Sequence, residues 1–238
     1  MKKNQLDLYM ILLLFITLTV WLLKDISFIF GFIVYLGIFT YLFIKKRPIS
    51  HFFVVILFSV MSLRSDTGSF KMDYALVMIL FGLVVIQSIK DKKIVFGNLF
   101  IPLVIFLTYS MISIIWTPVK STGFHGLVAM LEGYMVYFIL TNGNFKITKN
   151  NFLDISKIAT YVMLTLTLEL LYIYYIHGFE KVINRKKLID VGWGFSNLIA
   201  IIFVFLLPIA LYKYLDKKNK HYAYFILDIL NLIGLILT

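Results

Sequence analysis

The chain has 238 residues, a formal net charge of +11 and no cysteine, and 61% of its residues are hydrophobic while 15% are charged. A soluble domain of this size does not hide so much apolar surface, so a mean hydropathy of +0.93 predicts that lipid surrounds much of the chain. The missing cysteine excludes disulfides and thiolate metal sites, and cations scattered between apolar runs exclude a nucleic-acid-binding face.

Nine apolar runs follow one another, separated by short charged connections. A spanning helix needs about 20 predominantly apolar residues, and the third and fourth runs are short for that purpose. The first run follows Lys2 and Lys3 without a small-residue cleavage site, so it is predicted to remain as an uncleaved helix. We predict an all-α polytopic membrane bundle of about nine transmembrane helices, a single transmembrane domain over residues 1–238. The predicted spans are 6–23, 26–44, 49–63, 74–89, 94–116, 123–140, 152–176, 195–214 and 222–238.

The distribution of cations predicts a multi-pass protein of the cell membrane with its N-terminus in the cytoplasm. In that orientation the cytoplasmic connections carry most of the lysines and arginines, as the positive-inside rule requires. Trp21, Trp116 and Trp193 then all fall at external ends of spans, where an amphipathic ring is favoured.

The connection over residues 177–194 departs from this distribution. It lies on the external side in the predicted orientation, yet it carries four cations, Lys181, Arg185, Lys186 and Lys187. One interpretation is a site for an anionic ligand at the membrane surface. The alternative is a solvated loop whose cations balance external lipid headgroups.

The eighth predicted span begins with residues suited to hold an anion. Gly192 and Gly194 allow close approach of the backbone to a ligand, while Ser196 and Asn197 are preferred at helix starts. The free N–H groups and positive dipole end of a helix start attract phosphate groups. The sequence therefore predicts an anion-binding helix start directly after the basic connection.

Other polar residues within the runs give weaker indications of function. Intramembrane carboxylates are costly and often functional, and the acidic residues in or beside the runs are Asp7, Glu132, Glu169 and Asp228. Glu132 and Glu169 are expected either to line a polar cavity or to bond a neighbouring helix. Asp154 and Lys157 have the i,i+3 spacing of a local pair.

The four histidines do not predict a metal site. No two of them have metal-ligand spacing on one helix, and no phosphate-binding loop or nucleophile motif accompanies them. For His125 and His177, both external in the predicted orientation, a structural role is favoured over catalysis.

Two motifs resemble the O-antigen ligase and polysaccharide polymerase family. Residues 113–118 (Ser-Ile-Ile-Trp-Thr-Pro) resemble its S-x-x-W-[ST]-P stretch. Residues 192–200 (Gly-Trp-Gly-Phe-Ser-Asn-Leu-Ile-Ala), followed by Pro208, resemble its G-x-x-N-P-N-x-x-A … P entry to a span, with Ser196 in place of proline as in Gram-positive members.

The resemblance implies a membrane glycosyltransferase of cell-surface polysaccharide assembly. Such proteins move a glycan from undecaprenyl pyrophosphate to a sugar hydroxyl on the outer face of the membrane, and they use no metal or nucleotide cofactor. The implied partners are a lipid-linked glycan and membrane lipids. The family's pyrophosphate-binding cation would fall on Arg185, Lys186 or Lys187, and the guanidinium of Arg185 suits phosphate best. The family's catalytic external loop would follow residue 238, so residues 1–238 alone are expected to lack transfer activity.

A second interpretation is a transporter or flippase for lipid-linked or anionic solutes. Glu132 and Glu169 would then line its polar cavity.

Overall fold

The computed structural model describes residues 3–23, 28–47, 49–62, 72–118, 120–143, 149–184, 190–191, 194–215 and 222–238. Within these residues the fold is all-helical apart from one pair of two-residue strands, as predicted for the fold class. The elements are α1 (Lys3–Leu22), α2 (Phe28–Ile44), α3 (Ile49–Ser62), α4 (Met72–Lys90), α5 (Phe100–Ser113), α6 (Lys120–Asn142), α7 (Lys149–His177), α8 (Phe179–Asn184), β1 (Asp190–Val191), β2 (Gly194–Phe195), α9 (Ser196–Leu211), a 3₁₀ turn (Tyr212–Leu215) and α10 (Tyr222–Leu237).

Each of the nine predicted runs contains one α-helix, but the expectation of about nine membrane-spanning helices needs correction. Among the described residues, only Phe152–His177 in α7 is long and apolar enough to cross a membrane by length and composition. The apolar stretches of the other helices have 10–17 residues, which corresponds to about 15–26 Å at 1.5 Å per residue. Two helices are shorter than their predicted runs. Helix α5 begins six residues into its run, and α9 is followed by a 3₁₀ turn shortly after Pro208.

Contacts between Cα atoms divide the chain into two compact units. The first unit comprises Met1–Lys46, Phe53–Ser65 and Lys146–Thr238. Helix α7 is its centre, because α1, α8, α9 and α10 all pack against it. The apolar core lies along α7, where Met163, Leu166 and Leu170 are fully buried, and Phe203 of α9 is buried too.

Hydroxyl groups inside this unit are satisfied within the protein. Thr17 donates a hydrogen bond to the carbonyl of Leu13 at 2.8 Å and lies 2.9 Å from the hydroxyl of Tyr35. The Tyr35 hydroxyl also lies 3.3 Å from the carbonyl oxygen of Phe58. Such internal pairing removes the cost of burying polar atoms among apolar helices.

Gly234 of α10 packs directly against side chains of α7 and α9. A Cβ atom at this position would lie 2.9 Å from Cζ of Phe203 and still closer to Oγ1 of Thr167. We expect Gly234→Ala to lower the free energy of unfolding by about 1–3 kcal/mol, because a packed core resists an added methyl group. Thermal unfolding in detergent measures the change.

The matched control is Gly37→Ala in α2, where no atom lies within 4 Å of the new Cβ. That substitution is expected to be neutral or to stabilise by about 0.5–1 kcal/mol, since alanine favours helix more than glycine does. Equal effects at the two positions would show that the close helix crossing at Gly234 does not constrain the fold.

The second unit comprises Arg47–Phe52 and Asp66–Phe145. In it, α4 and α5 both pack on α6. Phe81 of α4 meets Phe138 of α6 edge to face at 5.2 Å between ring centroids, and Phe100 of α5 lies 6.0 Å from Tyr134. No residue of α5 is buried, so most of its apolar surface faces outward.

Candidate functional site

Gly178 determines how the predicted external connection begins. Gly178 has a φ of +80°, a left-handed conformation that glycine adopts without steric cost. Its N–H donates to the carbonyl of Tyr174 at 3.0 Å, which closes the last turn of α7. The chain then turns into α8, which is held in place by the fully buried side chain of Val182.

An open hollow of about 700 Å³ lies at this corner between α7 and α8. Lys181 is exposed in it, as are His177 and Glu180. An ammonium, an imidazole, a carboxylate and an amide can together bind a ligand that carries both anionic and hydroxyl groups. The lining residues are His177, Gly178, Phe179, Glu180, Lys181 and Asn184.

The predicted helix start lies at the other end of the connection. Strand β1 pairs antiparallel with β2, so that Asp190 lies opposite Phe195 and Val191 opposite Gly194. Helix α9 begins at Ser196, as predicted, and Asn197 is exposed in its first turn. Strand β1 contacts α7 and β2 contacts α9, so this hairpin brings the start of α9 to α7.

The structure therefore places some of the predicted site residues and not others. Gly194, Ser196 and Asn197 lie consecutively along β2 and the first turn of α9. The other four, Arg185, Lys186, Lys187 and Gly192, lie outside the described residues. The three cations follow directly in sequence on Asn184, a residue that lines the hollow.

A buried ion pair, absent from the sequence predictions, joins the 3₁₀ turn after α9 to α10. Nζ of Lys213 lies 2.7 Å from a carboxylate oxygen of Asp228, and their side chains are 0% and 5% exposed. Thr160 of α7 completes the group: its hydroxyl accepts a hydrogen bond from Lys213 at 2.6 Å and lies 3.0 Å from Asp228. We call these three side chains the buried ionic cluster.

Every polar atom of the buried ionic cluster has a partner. Lys213 also donates to the carbonyl of Ala210 at 2.9 Å, so its three ammonium protons have three acceptors. Tyr214 donates a further hydrogen bond to Asp228 at 2.8 Å. This arrangement fits a charged ammonium and carboxylate. The cluster therefore fastens α9 and α10 to α7.

Further polar contacts extend from the buried ionic cluster along α10. The side-chain amide of Asn231 donates to the backbone carbonyl of Thr160 at 3.1 Å. At the other end, Tyr224 donates to the carboxylate of Asp7, and its ring centroid lies 5.1 Å from Nζ of Lys213. Lys157 pairs with Asp7 at 3.6 Å rather than with Asp154, the partner predicted from i,i+3 spacing.

The remaining predicted polar residues are placed as follows. Glu169 is fully buried in α7, in the first unit. Glu132 is half-buried in α6, in the second unit. The side chain of His125 lies outside the described residues, and within the described part of the chain no group of three or more His, Asp or Glu residues is placed to hold a metal ion.

The sequence contained one usable signal for the buried ionic cluster. Tyr224, Asp228 and Asn231 are spaced i, i+4 and i+7, which places three polar side chains on one face of an otherwise apolar helix. Lys213 lies near the end of the predicted span 195–214, and its pairing with Asp228 was not predicted.

Comparison with known proteins gives no relative on which to base an assignment: no family model, curated protein or solved structure matches the chain.

Proposed function

We propose that this chain belongs to the machinery of cell-surface polysaccharide assembly, as part of a polymerase or ligase that transfers a glycan from undecaprenyl pyrophosphate to a sugar acceptor. It acts in the cell membrane as a multi-pass protein whose N-terminus is cytoplasmic. The observation that carries the proposal is the entry into α9. There a hairpin and a helix start at Ser196 follow the basic residues 185–187, which come directly after Asn184 of the hollow in the sequence.

This arrangement suits a pyrophosphate leaving group. The N–H groups at the start of a helix and nearby cations both stabilise negative charge, and that charge increases as the bond between sugar and pyrophosphate breaks. Arg185, Lys186 and Lys187 supply the cations in the proposal, and Gly192 and Gly194 let the backbone approach the phosphates. Exposed Asn197 and the hollow lined by Lys181 and His177 offer room for the sugar.

A membrane location is supported by the apolar helices themselves. Helix α7 has the length to cross a bilayer, and eight shorter apolar helices accompany it in the described residues. Shorter helices can span where the bilayer thins or where flanking residues extend the apolar stretch.

Transport of a lipid-linked or anionic solute is the second candidate function. Glu169 favours it, because a carboxylate fully buried in a long apolar helix is typical of ion and substrate pathways.

Deletion of the gene distinguishes glycan transfer from transport. If the chain transfers glycan, cells without it accumulate lipid-linked glycan on the outer face of the membrane, where an added glycosidase reaches it, and they lose long surface polymer. If it transports the lipid-linked glycan, the accumulated material stays on the inner face and is protected until the cells are lysed. Unchanged lipid-linked glycan and unchanged polymer contradict both functions.

The orientation of the connection at 177–194 can be tested directly. We expect a cysteine placed at Asp190 to react with a membrane-impermeant thiol reagent in intact cells, since this segment is external in the proposal. The native chain has no cysteine, so the label reports one position. A cysteine at Lys92, proposed to be cytoplasmic, should react only after lysis; the reverse pattern would overturn the orientation.

A further inference from the structure

The segment that joins α4 to α5 is neither a helix nor an ordinary polar loop. We call residues 90–99 the connector. Helix α4 ends at Lys90, and Lys92, two residues later, has a left-handed conformation at a φ of +49°. The N–H of Lys92 donates to the carbonyl of Ile89 at 3.1 Å, and the N–H of Lys93 donates to the carbonyl of Ser88 at 3.0 Å. These two hydrogen bonds are typical of a helix C-terminus in which glycine usually occupies the left-handed position. Because a lysine and not a glycine occupies this position, residues 90–93 carry three cations, Lys90, Lys92 and Lys93.

After this turn, the side chain of Asn142 in α6 holds the connector. The backbone N–H of Val95 donates to Oδ1 of Asn142 at 2.7 Å, and Nδ2 of Asn142 donates back to the carbonyl of Val95 at 3.1 Å. The amide of Asn142 thus replaces the partner strand that an extended residue would have in a sheet. Four residues later, the N–H of Leu99 donates to the hydroxyl of Tyr137 at 3.2 Å.

The charged side chains of the connector precede its large apolar ones, and Asp91 is the one acidic residue among the three lysines. All three lysines are exposed. Directly after them, large apolar side chains are exposed as well, with Phe96 the most open at 61%. The exposed apolar residues of the connector are Ile94, Val95, Phe96 and Leu99.

We propose that the connector is a bilayer-interface site for anionic phospholipid: its lysines bind the headgroup phosphates and its apolar side chains enter the acyl-chain boundary. Charge complementarity favours lipid as the occupant, because cations beside the bilayer are attracted to anionic headgroups. The backbone favours it as well. Non-helical backbone is tolerated at membrane depth where its polar groups are satisfied by the protein, and Asn142 satisfies both groups of Val95.

This site goes beyond the proposed glycan transfer and does not depend on it. It involves only residues of the second unit, whereas the proposed transfer site lies in the first. Loss of lipid binding at the connector and loss of transfer are therefore separate results.

The test uses the full chain reconstituted into vesicles, with a fluorescent label on a single cysteine at Phe96. The vesicles consist of phosphatidylcholine and a small fraction of a lipid that carries a nitroxide quencher in its acyl chain. In one preparation this quencher lipid is phosphatidylglycerol, and in the other it is phosphatidylcholine. We expect both lipids to quench the label, and phosphatidylglycerol to quench it more strongly at equal amounts. A label at Asp91, an exposed polar neighbour in the same connector, is expected to be quenched much less.

Two variants separate the parts of the proposal. Lys90→Gln, Lys92→Gln and Lys93→Gln together should abolish the preference for phosphatidylglycerol while quenching by phosphatidylcholine persists. Each lysine at the surface contributes up to about a fivefold preference. Asn142→Leu should reduce quenching at residue 96 by both lipids, because it removes both hydrogen bonds to Val95. Equal quenching at residues 91 and 96, or no preference between the lipids in the native sequence, would overturn the proposal.

Discussion

Replacing Lys213 by methionine is expected to lower the free energy of unfolding by about 3–5 kcal/mol. The substitution leaves the carboxylate of Asp228 buried without a countercharge, although Thr160 and Tyr214 still contact it. Asp228→Asn should have a similar effect, because it leaves the ammonium of Lys213 buried instead. Thermal unfolding of the purified chain in detergent, followed by tryptophan fluorescence, measures both.

The double variant Lys213→Met/Asp228→Leu provides the decisive comparison. Two apolar side chains of similar size can replace a buried ion pair at little cost, so most of the lost stability should return. Lys181→Met is the matched control, since Lys181 is exposed on α8 and its loss should change stability by no more than about 0.5 kcal/mol. If Lys213→Met unfolds at the same temperature as the native chain, the ion pair does not fasten α9 and α10 to α7.

Arg185→Ala is expected to reduce glycan transfer by roughly ten- to a hundredfold, with little change in protein level. Loss of one charge-assisted hydrogen bond to a phosphate costs on the order of 1.5–3 kcal/mol, and in our proposal that bond stabilises the leaving pyrophosphate. The measurement compares polymer or conjugate formed by cells that carry the variant, normalised to the amount of protein in the membrane.

Three neighbouring variants sharpen this test. Arg185→Lys should retain part of the activity, because lysine keeps the charge but does not bind phosphate with two parallel hydrogen bonds. Lys186→Ala and Lys187→Ala show which cation carries the role. If all three alanine variants retain native transfer, the basic segment only balances lipid headgroups and the assigned site is wrong.

The positions of the helices followed from local properties of the sequence. An apolar run must satisfy its backbone internally when it is buried or in lipid, and a helix does so within the run; each of the nine runs accordingly contains one. The ends were less predictable. Helix α5 begins at Phe100 instead of near Ile94 because Asn142, 47 residues away from Val95, binds the backbone of that segment outside a helix.

The candidate site was predictable in part, for a similar reason. Ser196 was predicted to start a helix from its own preference for that position, which is a local property. Helix α8 was missed because Gly178 and the buried Val182, rather than an apolar run, determine it. The pairing of Lys213 with Asp228 depends on how α9 and α10 pack on α7, and nothing between these two residues in the sequence specifies it.

The measurement that tests the central claim most directly is release of undecaprenyl pyrophosphate by the protein purified from its own cells. The protein is reconstituted in vesicles with a lipid-pyrophosphate glycan and a sugar acceptor, and without added nucleotide or metal. We predict that free undecaprenyl pyrophosphate appears in step with elongated or conjugated glycan, and that Arg185→Ala slows both equally. Movement of intact lipid-linked glycan across the bilayer without such release would contradict the proposed transfer and favour transport.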